Sequence, residues 1–160
     1  MNEIDAVDLD RLAQAIHDEY LRTERARGMT VADNPSLVEW EALPEDLRGA
    51  NRAHALGIMD KLAAMGLCAV RAGSPDARPM APIPDDEIER LSRLEHERWM
   101  TDRRAAGWTC APGPKNLEHK THPDLVPYDQ LNETVKEKDR VLVRAIPGLL
   151  ARAGLSWARR

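Results

Sequence analysis

The sequence predicts a mainly α protein with short β-strands (α+β), made of two pseudo-twofold-related helix–loop/strand–helix halves that form one core. Three observations predict it. Residues 12–28 (LAQAIHDEYLRTERARG) realign on residues 91–107 (LSRLEHERWMTDRRAAG) at an offset of 79, sharing Leu12/Leu91, His17/His96, Arg25/Arg104 and Gly28/Gly107. Residues 35–67 realign on 123–155 at an offset of 88, through Leu37/Leu125, Val38/Val126, Leu43/Leu131, Arg52/Arg140, Ile58/Ile146, Leu62/Leu150 and Gly66/Gly154. A repeat this long is a duplicated half-domain rather than a turn of a solenoid, and its natural packing is a pseudo-twofold pair. Finally, each copy alone is marginal in size, whereas a 160-residue chain can bury roughly 70% of its unfolded surface. The expected organisation is one tandem domain over residues 1–160, with half 1 at about 8–71, a linker at 72–84 and half 2 at about 85–157.

Four helices follow in order. The first, about 8–27, sets Leu9, Leu12, Ala13, Ile16 and Tyr20 on one stripe and stops at Gly28. The second opens at Pro44 with Glu45 and Asp46 in its first turn and stops at Gly66. The third opens after Pro84 on Asp85-Asp86-Glu87, carries Ile88, Leu91 and Trp99, and stops at Gly107. The fourth has Asn132 as N-cap and ends at Gly154, with Pro147 inside it as a kink or break. Before the second and fourth helices, Leu37-Val38 and Leu125-Val126, each followed by an aromatic, give a brief period-2 pattern that predicts a short strand. Residues 72–84 hold four prolines and read as a linker.

Composition narrows the function classes. Net charge is −4, so a general nucleic-acid footprint is missing and no nucleic-acid polymer is expected as partner. The charge is uneven: residues 1–80 sum to −5 and residues 81–160 to +1, so an anion is better received by the second half. Cys68 and Cys110 form no CxxC, which points to a reducing, cytoplasmic setting, and no apolar run or leader predicts a membrane association. All six aromatics are Trp or Tyr and carry a polar handle. They suit either a partly wet binding surface or the margin of an aliphatic core.

The stretch 96–128 (HERWMTDRRAAGWTCAPGPKNLEHKTHPDLVPY) is the richest in chemistry-bearing residues. With His96-Glu-Arg-Trp-Met, Arg104-Ala-Ala-Gly-Trp108, Lys120-Thr-His-Pro-Asp-Leu-Val-Pro-Tyr128 and Lys136-Glu-Lys-Asp-Arg140, it resembles the ryanodine-receptor repeat domain, or RyR domain. The first half resembles a weaker partner repeat through Ile16-His-Asp-Glu-Tyr20, Pro35-Ser-Leu-Val38 and Ala50-Asn-Arg52. The resemblance implies a tandem, mainly helical, ligand-sensing or regulatory module, for which adenine-nucleotide-like ligands are a leading idea, and it does not imply a catalytic activity. The chain departs from the family pattern at Gly107-Trp-Thr-Cys110-Ala111-Pro112 and at Gly113-Pro114.

From the residues themselves, Trp99 and Trp108 can sandwich a planar base, or Trp99 can be core on the Ile88/Leu91 stripe. Arg103 and Arg104 in the third helix's last turn, with Lys115, His119, Lys120 and His122 in a loop nine residues longer than its first-half counterpart, suit phosphate. They equally suit a helix C-terminus without any ligand. His17 and His96 read as polar ligand contacts or as hydrogen-bonded histidines at a helix contact. The metal, zincin, P-loop, dinucleotide and nucleophile-elbow patterns are missing, so neither cofactor nor enzyme activity is expected. The expected function is a non-catalytic sensing domain for a small, nucleotide-like anion. Its site residues are Trp40, Trp99, Trp108 and Tyr128 for stacking, Arg103, Arg104 and Lys120 for charge, and His96 and His122 for polar contacts. The rival is a protein–protein interaction module using the same aromatic surface.

Overall fold

A computed structural model describes residues 4–160. Helix makes up 55% of it and the strands are short, so the chain is mainly α with small sheets. None of the described helices is long and apolar enough to cross a membrane. The chain divides into two compact units, residues 1–81 with 146–160, and residues 82–145.

In the first unit, α1 (Ala6–Ala26) packs along α2 (Glu45–Ala64), with a single 3₁₀ turn, η1 (Trp40–Ala42), between them in sequence. The helix α1 begins earlier than its apolar stripe suggests because Asp5 caps it. The Asp8 amide donates to the Asp5 carboxylate at 2.9 Å and the Asp5 amide donates back to Asp8 at 3.0 Å. Leu12, Ala13, Ile58 and Leu62 from the two helices are essentially inaccessible and form the centre of this unit. Strand β1 (Leu67–Arg71) follows α2 and pairs antiparallel with a strand from the far end of the chain.

The second unit repeats that helix pair. Here α3 (Asp85–Ala105) packs along α4 (Glu133–Arg144), and the 3₁₀ turn η2 (Tyr128–Gln130) precedes α4. Asn132 caps α4 as expected, its side chain accepting from the Val135 amide at 2.9 Å. Both α1 and α3 end in the same six-residue turn. Gly28 and Gly107 take φ of +83° and +91°, and the next amide, of Met29 or Trp108, reaches back to the carbonyl of Glu24 or Arg103. Between α3 and η2 the longer loop forms a two-residue parallel pair, β2 (Thr109–Cys110) with β3 (Thr121–His122).

Pro147 breaks the predicted fourth helix as expected. A separate helix α5 (Ile146–Arg152) and strand β4 (Leu155–Arg159) follow, and both belong to the first unit. In the β1–β4 register, Leu67 faces Arg159 and Arg71 faces Leu155, so exchanging each residue for the one 88 positions away returns the same pairs. The two copies of the sequence repeat therefore meet residue for residue in this sheet. Leu62 and Leu150, equivalent in the repeat, are both fully buried.

One sequence expectation is corrected. Residues Leu37-Val38 and Leu125-Val126 form no strand; turns lead there into η1 and η2. Pro35, Pro123 and Pro127 lack the amide a ladder needs. Leu37 and Leu125 are instead buried as single anchors, and the carbonyls of Val38 and Val126 are satisfied by histidine side chains.

Candidate functional site

Each unit contains the same polar scaffold. His17 Nε2 donates to the Val38 carbonyl at 2.6 Å, and His96 Nε2 donates to the Val126 carbonyl at 2.7 Å. A carbonyl can only accept, so Nε2 carries the proton in both rings. Both rings are almost wholly buried. They tie α1 and α3 to the loops before η1 and η2. Arg52 bridges Asp10 and Glu45 at 2.6 and 2.5 Å, and Arg140 bridges the equivalent Glu89 and Glu133. Hydrogen bonds from these guanidiniums hold Asp10, Glu89 and Glu133 below the usual carboxylate range. Trp40 and Tyr128 lie 6.2 and 6.3 Å from the two histidine rings, each with a cation over its face, Arg48 on Trp40 and Lys136 on Tyr128.

The second unit adds to this scaffold a cluster of aromatics and cations. His96, Trp99 and Arg103 sit three and four residues apart on α3 and so share a face. The Trp99 indole stacks on His96 (5.5 Å, 25° between planes) and meets the edge of His122 at 4.8 Å. The Arg103 guanidinium lies 6.0 Å from the Trp99 ring and 5.6 Å from that of Trp108, and Lys115 Nζ lies 5.8 Å from Trp108. Among the described residues, Arg103, Lys115 and Lys138 have no carboxylate partner. Neighbouring Arg93, Arg98, Lys136, Arg140 and Arg144 are all neutralised.

These cations act on His122. Its Nδ1 accepts from the Asp124 amide at 3.0 Å, which leaves the proton on Nε2. Partial burial holds its pKa below the ordinary histidine value; the charges of Lys115, Arg103 and Lys138 push the same way, against the pull of Asp124. A positive field only partly offset by the Asp124 carboxylate, 3.9 Å from His122 Nδ1, next to a half-buried indole, suits an anion.

Residues 84–158 match the family model of the RyR domain. The chain carries an RyR domain. The match spans the second copy of the repeat, including the whole aromatic–cation cluster, while the first copy lies outside the matched stretch.

Within the RyR domain the expected site residues separate. Trp99, Arg103 and His122 come together with part-exposed side chains. Trp108, expected to offer a stacking face, is instead buried with Met100 and Leu125, and Trp99 lies at the edge of that cluster. The tight turn at Gly107 folds Trp108 back onto α3, which is why the residue without helical spacing is the more buried. His96 and Tyr128 are scaffold. The Tyr128 hydroxyl donates to Glu89 at 3.0 Å and its ring is under Lys136, so no stacking surface remains. Lys120 takes a left-handed φ of +52° and its Nζ caps α3 at the Ala106 carbonyl, 2.9 Å away. Arg104 is exposed at the end of α3, outside the ring contacts that gather the others. Trp40 belongs to the first unit, where Arg48 and Arg52 lie over its ring. Lys138 and Asp124 were not among the expected residues. Nothing in their spacing marks them; they matter through proximity to His122, which only the folded chain supplies. Among the described residues no three His, Cys, Asp or Glu side chains gather as a metal cluster.

Proposed function

We propose that this RyR domain is a non-catalytic, cytosolic sensing module whose second unit binds a small planar anion of nucleotide type. The ring would lie against the exposed part of Trp99. Arg103, Lys115 and Lys138 would take the phosphate charge, and His122 Nε2–H would supply a directional hydrogen bond. The observation that carries this reading is that Arg103, Lys115 and Lys138, none with an ion-pair partner among the described residues, all act on His122 beside Trp99, opposed there by Asp124. Uncompensated charge clustered this way lowers stability unless a ligand uses it.

Isothermal calorimetry with AMP, ADP and ATP on the wild type and on Arg103→Ala/Lys115→Ala tests this. The double variant should bind at least tenfold more weakly while keeping its thermal midpoint, since neither side chain is buried in the core. A ligand at 100 times its dissociation constant should stabilise the wild type by about 2.7 kcal/mol. No heat from any purine nucleotide at millimolar concentration would refute the nucleotide reading. Saturable heat unchanged in the double variant would move the site elsewhere.

A further inference from the structure

The two ring nitrogens of His122 stand in different settings. Nδ1 accepts from the Asp124 amide at 3.0 Å, a bond made within one turn, so the ring's single proton sits on Nε2. The Asp124 carboxylate lies 3.9 Å from the same Nδ1, too far for a hydrogen bond to it. Both side chains are part-exposed, 18% for His122 and 26% for Asp124, so a proton can reach Nδ1 from solvent.

Charged groups act on this ring from every side. From α3 come Arg103 and the Trp99 ring, which His122 meets edge-on at 4.8 Å. Lys115 acts from the loop before β3, Lys138 from α4, and Asp124 from the ring's own turn. Three cations against one carboxylate oppose a further positive charge there, and partial burial opposes it too. An anion seated among the cations reverses that balance. Its charge offsets theirs, and an acceptor facing Nε2–H favours the imidazolium, the stronger donor. The second proton can go only to Nδ1, where it meets the Asp124 amide N–H. Two donors cannot face each other, so that bond must open, and the Asp124 carboxylate is the acceptor at hand. The turn from His122 to Asp124 thus has two arrangements, amide-bonded with a neutral ring and carboxylate-bonded with a charged one.

We infer that the cluster takes up its anion together with one proton from solvent, which lodges on His122 Nδ1 and exchanges the Asp124 amide for its carboxylate. This rests on the anion site proposed above and adds its regulation. The sign follows from linkage. An anion that favours the protonated ring is itself favoured by protons, so affinity rises as pH falls, until the empty site is protonated as well. The first copy has Asn34 at this position and so lacks the titrating group.

The test follows the His122 ring C–H signals of the full chain by NMR against pH, alone, with ADP and with sodium sulfate, at one ionic strength set with sodium chloride. His122→Gln, which keeps a donor near the Nε2 position, assigns the signals. The titration midpoint should rise by about half a pH unit or more with either anion. Asp124→Asn should lower the liganded midpoint, because the new proton loses its carboxylate. From about pH 7.5 to pH 6, ADP affinity should rise about threefold or more relative to His122→Gln, a comparison that cancels titration of the phosphate itself. If His122→Gln fails to fold, proximity to the Trp99 ring assigns the signals and the wild-type midpoints decide. A midpoint that both anions leave in place overturns the inference. Should ADP move the Trp99 indole signal while the midpoint stays, the inference falls alone and the nucleotide reading stands. A midpoint raised by sulfate, with no binding of ADP, would do the reverse.

Discussion

The α1–η1–α2 hairpin of the first unit and the α3–η2–α4 hairpin of the second share a scaffold and differ in one place. Their histidine-to-carbonyl bonds agree to within a tenth of an ångström, and their arginine-centred carboxylate pairs use equivalent residues. At the cluster, though, Trp99, Arg103, Trp108, His122 and Lys138 answer to Tyr20, Glu24, Met29, Asn34 and Ala50 in the first copy. Every cation becomes neutral or acidic. The geometry survives in reduced form: Asn34 Nδ2 donates to the Tyr20 hydroxyl at 2.6 Å where His122 meets Trp99. Duplication kept the interactions that hold each hairpin and replaced the side chains at one end of it. The scaffold and the candidate site are thus separable by substitution.

The largest expected effect tests the burial difference. Trp108→Ala should cost about 3–5 kcal/mol, as large core truncations do, whereas Met29→Ala should cost less than about 1 kcal/mol. Denaturant unfolding of both variants checks it, and comparable losses would mean that the two turns bury their residues alike. Next comes the shared scaffold. His17→Ala and His96→Ala each leave a valine carbonyl unpaired and should each cost about 1–3 kcal/mol. Values differing by more than about 1 kcal/mol would break the equivalence of the two hairpins.

A smaller effect separates the two arginine clusters in acid. Glu89 and Asp10 both titrate below their ordinary values when folded, so each stabilises fully above the unfolded pKa, 4.5 for Glu89 and 3.8 for Asp10. That contribution disappears as pH falls through the lowered folded value. The loss at Glu89 should therefore begin at higher pH, and Glu89→Gln should flatten the stability profile below pH 4.5 more than Asp10→Asn does at the same pH. The smallest effect concerns Ser92, fully buried with a hydroxyl that finds no partner among the described residues, where the first copy has Ala13. Ser92→Ala should be neutral or should raise stability by up to about 1 kcal/mol; a loss above that would reveal a hidden bond.

Much of this fold was legible in the sequence. The offsets of 79 and 88 map α1 onto α3 and β1 onto β4 end for end, and Pro147 marks the break between α4 and α5. The site was legible in part. A stripe through Ile88, Leu91 and Trp99 assumes a fixed heading, but the buried face of α3 drifts through Leu91, Ser92, Glu95 and His96 to Met100, leaving Trp99 on its margin. Trp108 is buried by a turn, whose effect on the residue after Gly107 no periodicity contains. Lys120 shows the limit from another side. A lysine in a basic loop looks available for phosphate, and only the fold reveals that the carbonyl end of α3 already holds it.

The strand pair β1–β4 joins residues 84 (Arg71 and Leu155) to 92 (Leu67 and Arg159) apart, with the whole second unit lying between them in sequence. During vectorial synthesis the first hairpin leaves the ribosome early, yet it must wait with β1 unpaired on both sides until the second unit has been made. So late a closure gives the first unit a high contact order, and a correspondingly slow last step in folding. In that interval a bare apolar strand is open to mispairing with neighbouring nascent chains. The second hairpin is contiguous in sequence and needs no such delay. Refolding followed by pulsed hydrogen exchange should show α3 and α4 protected before β1, the reverse of their order in the chain.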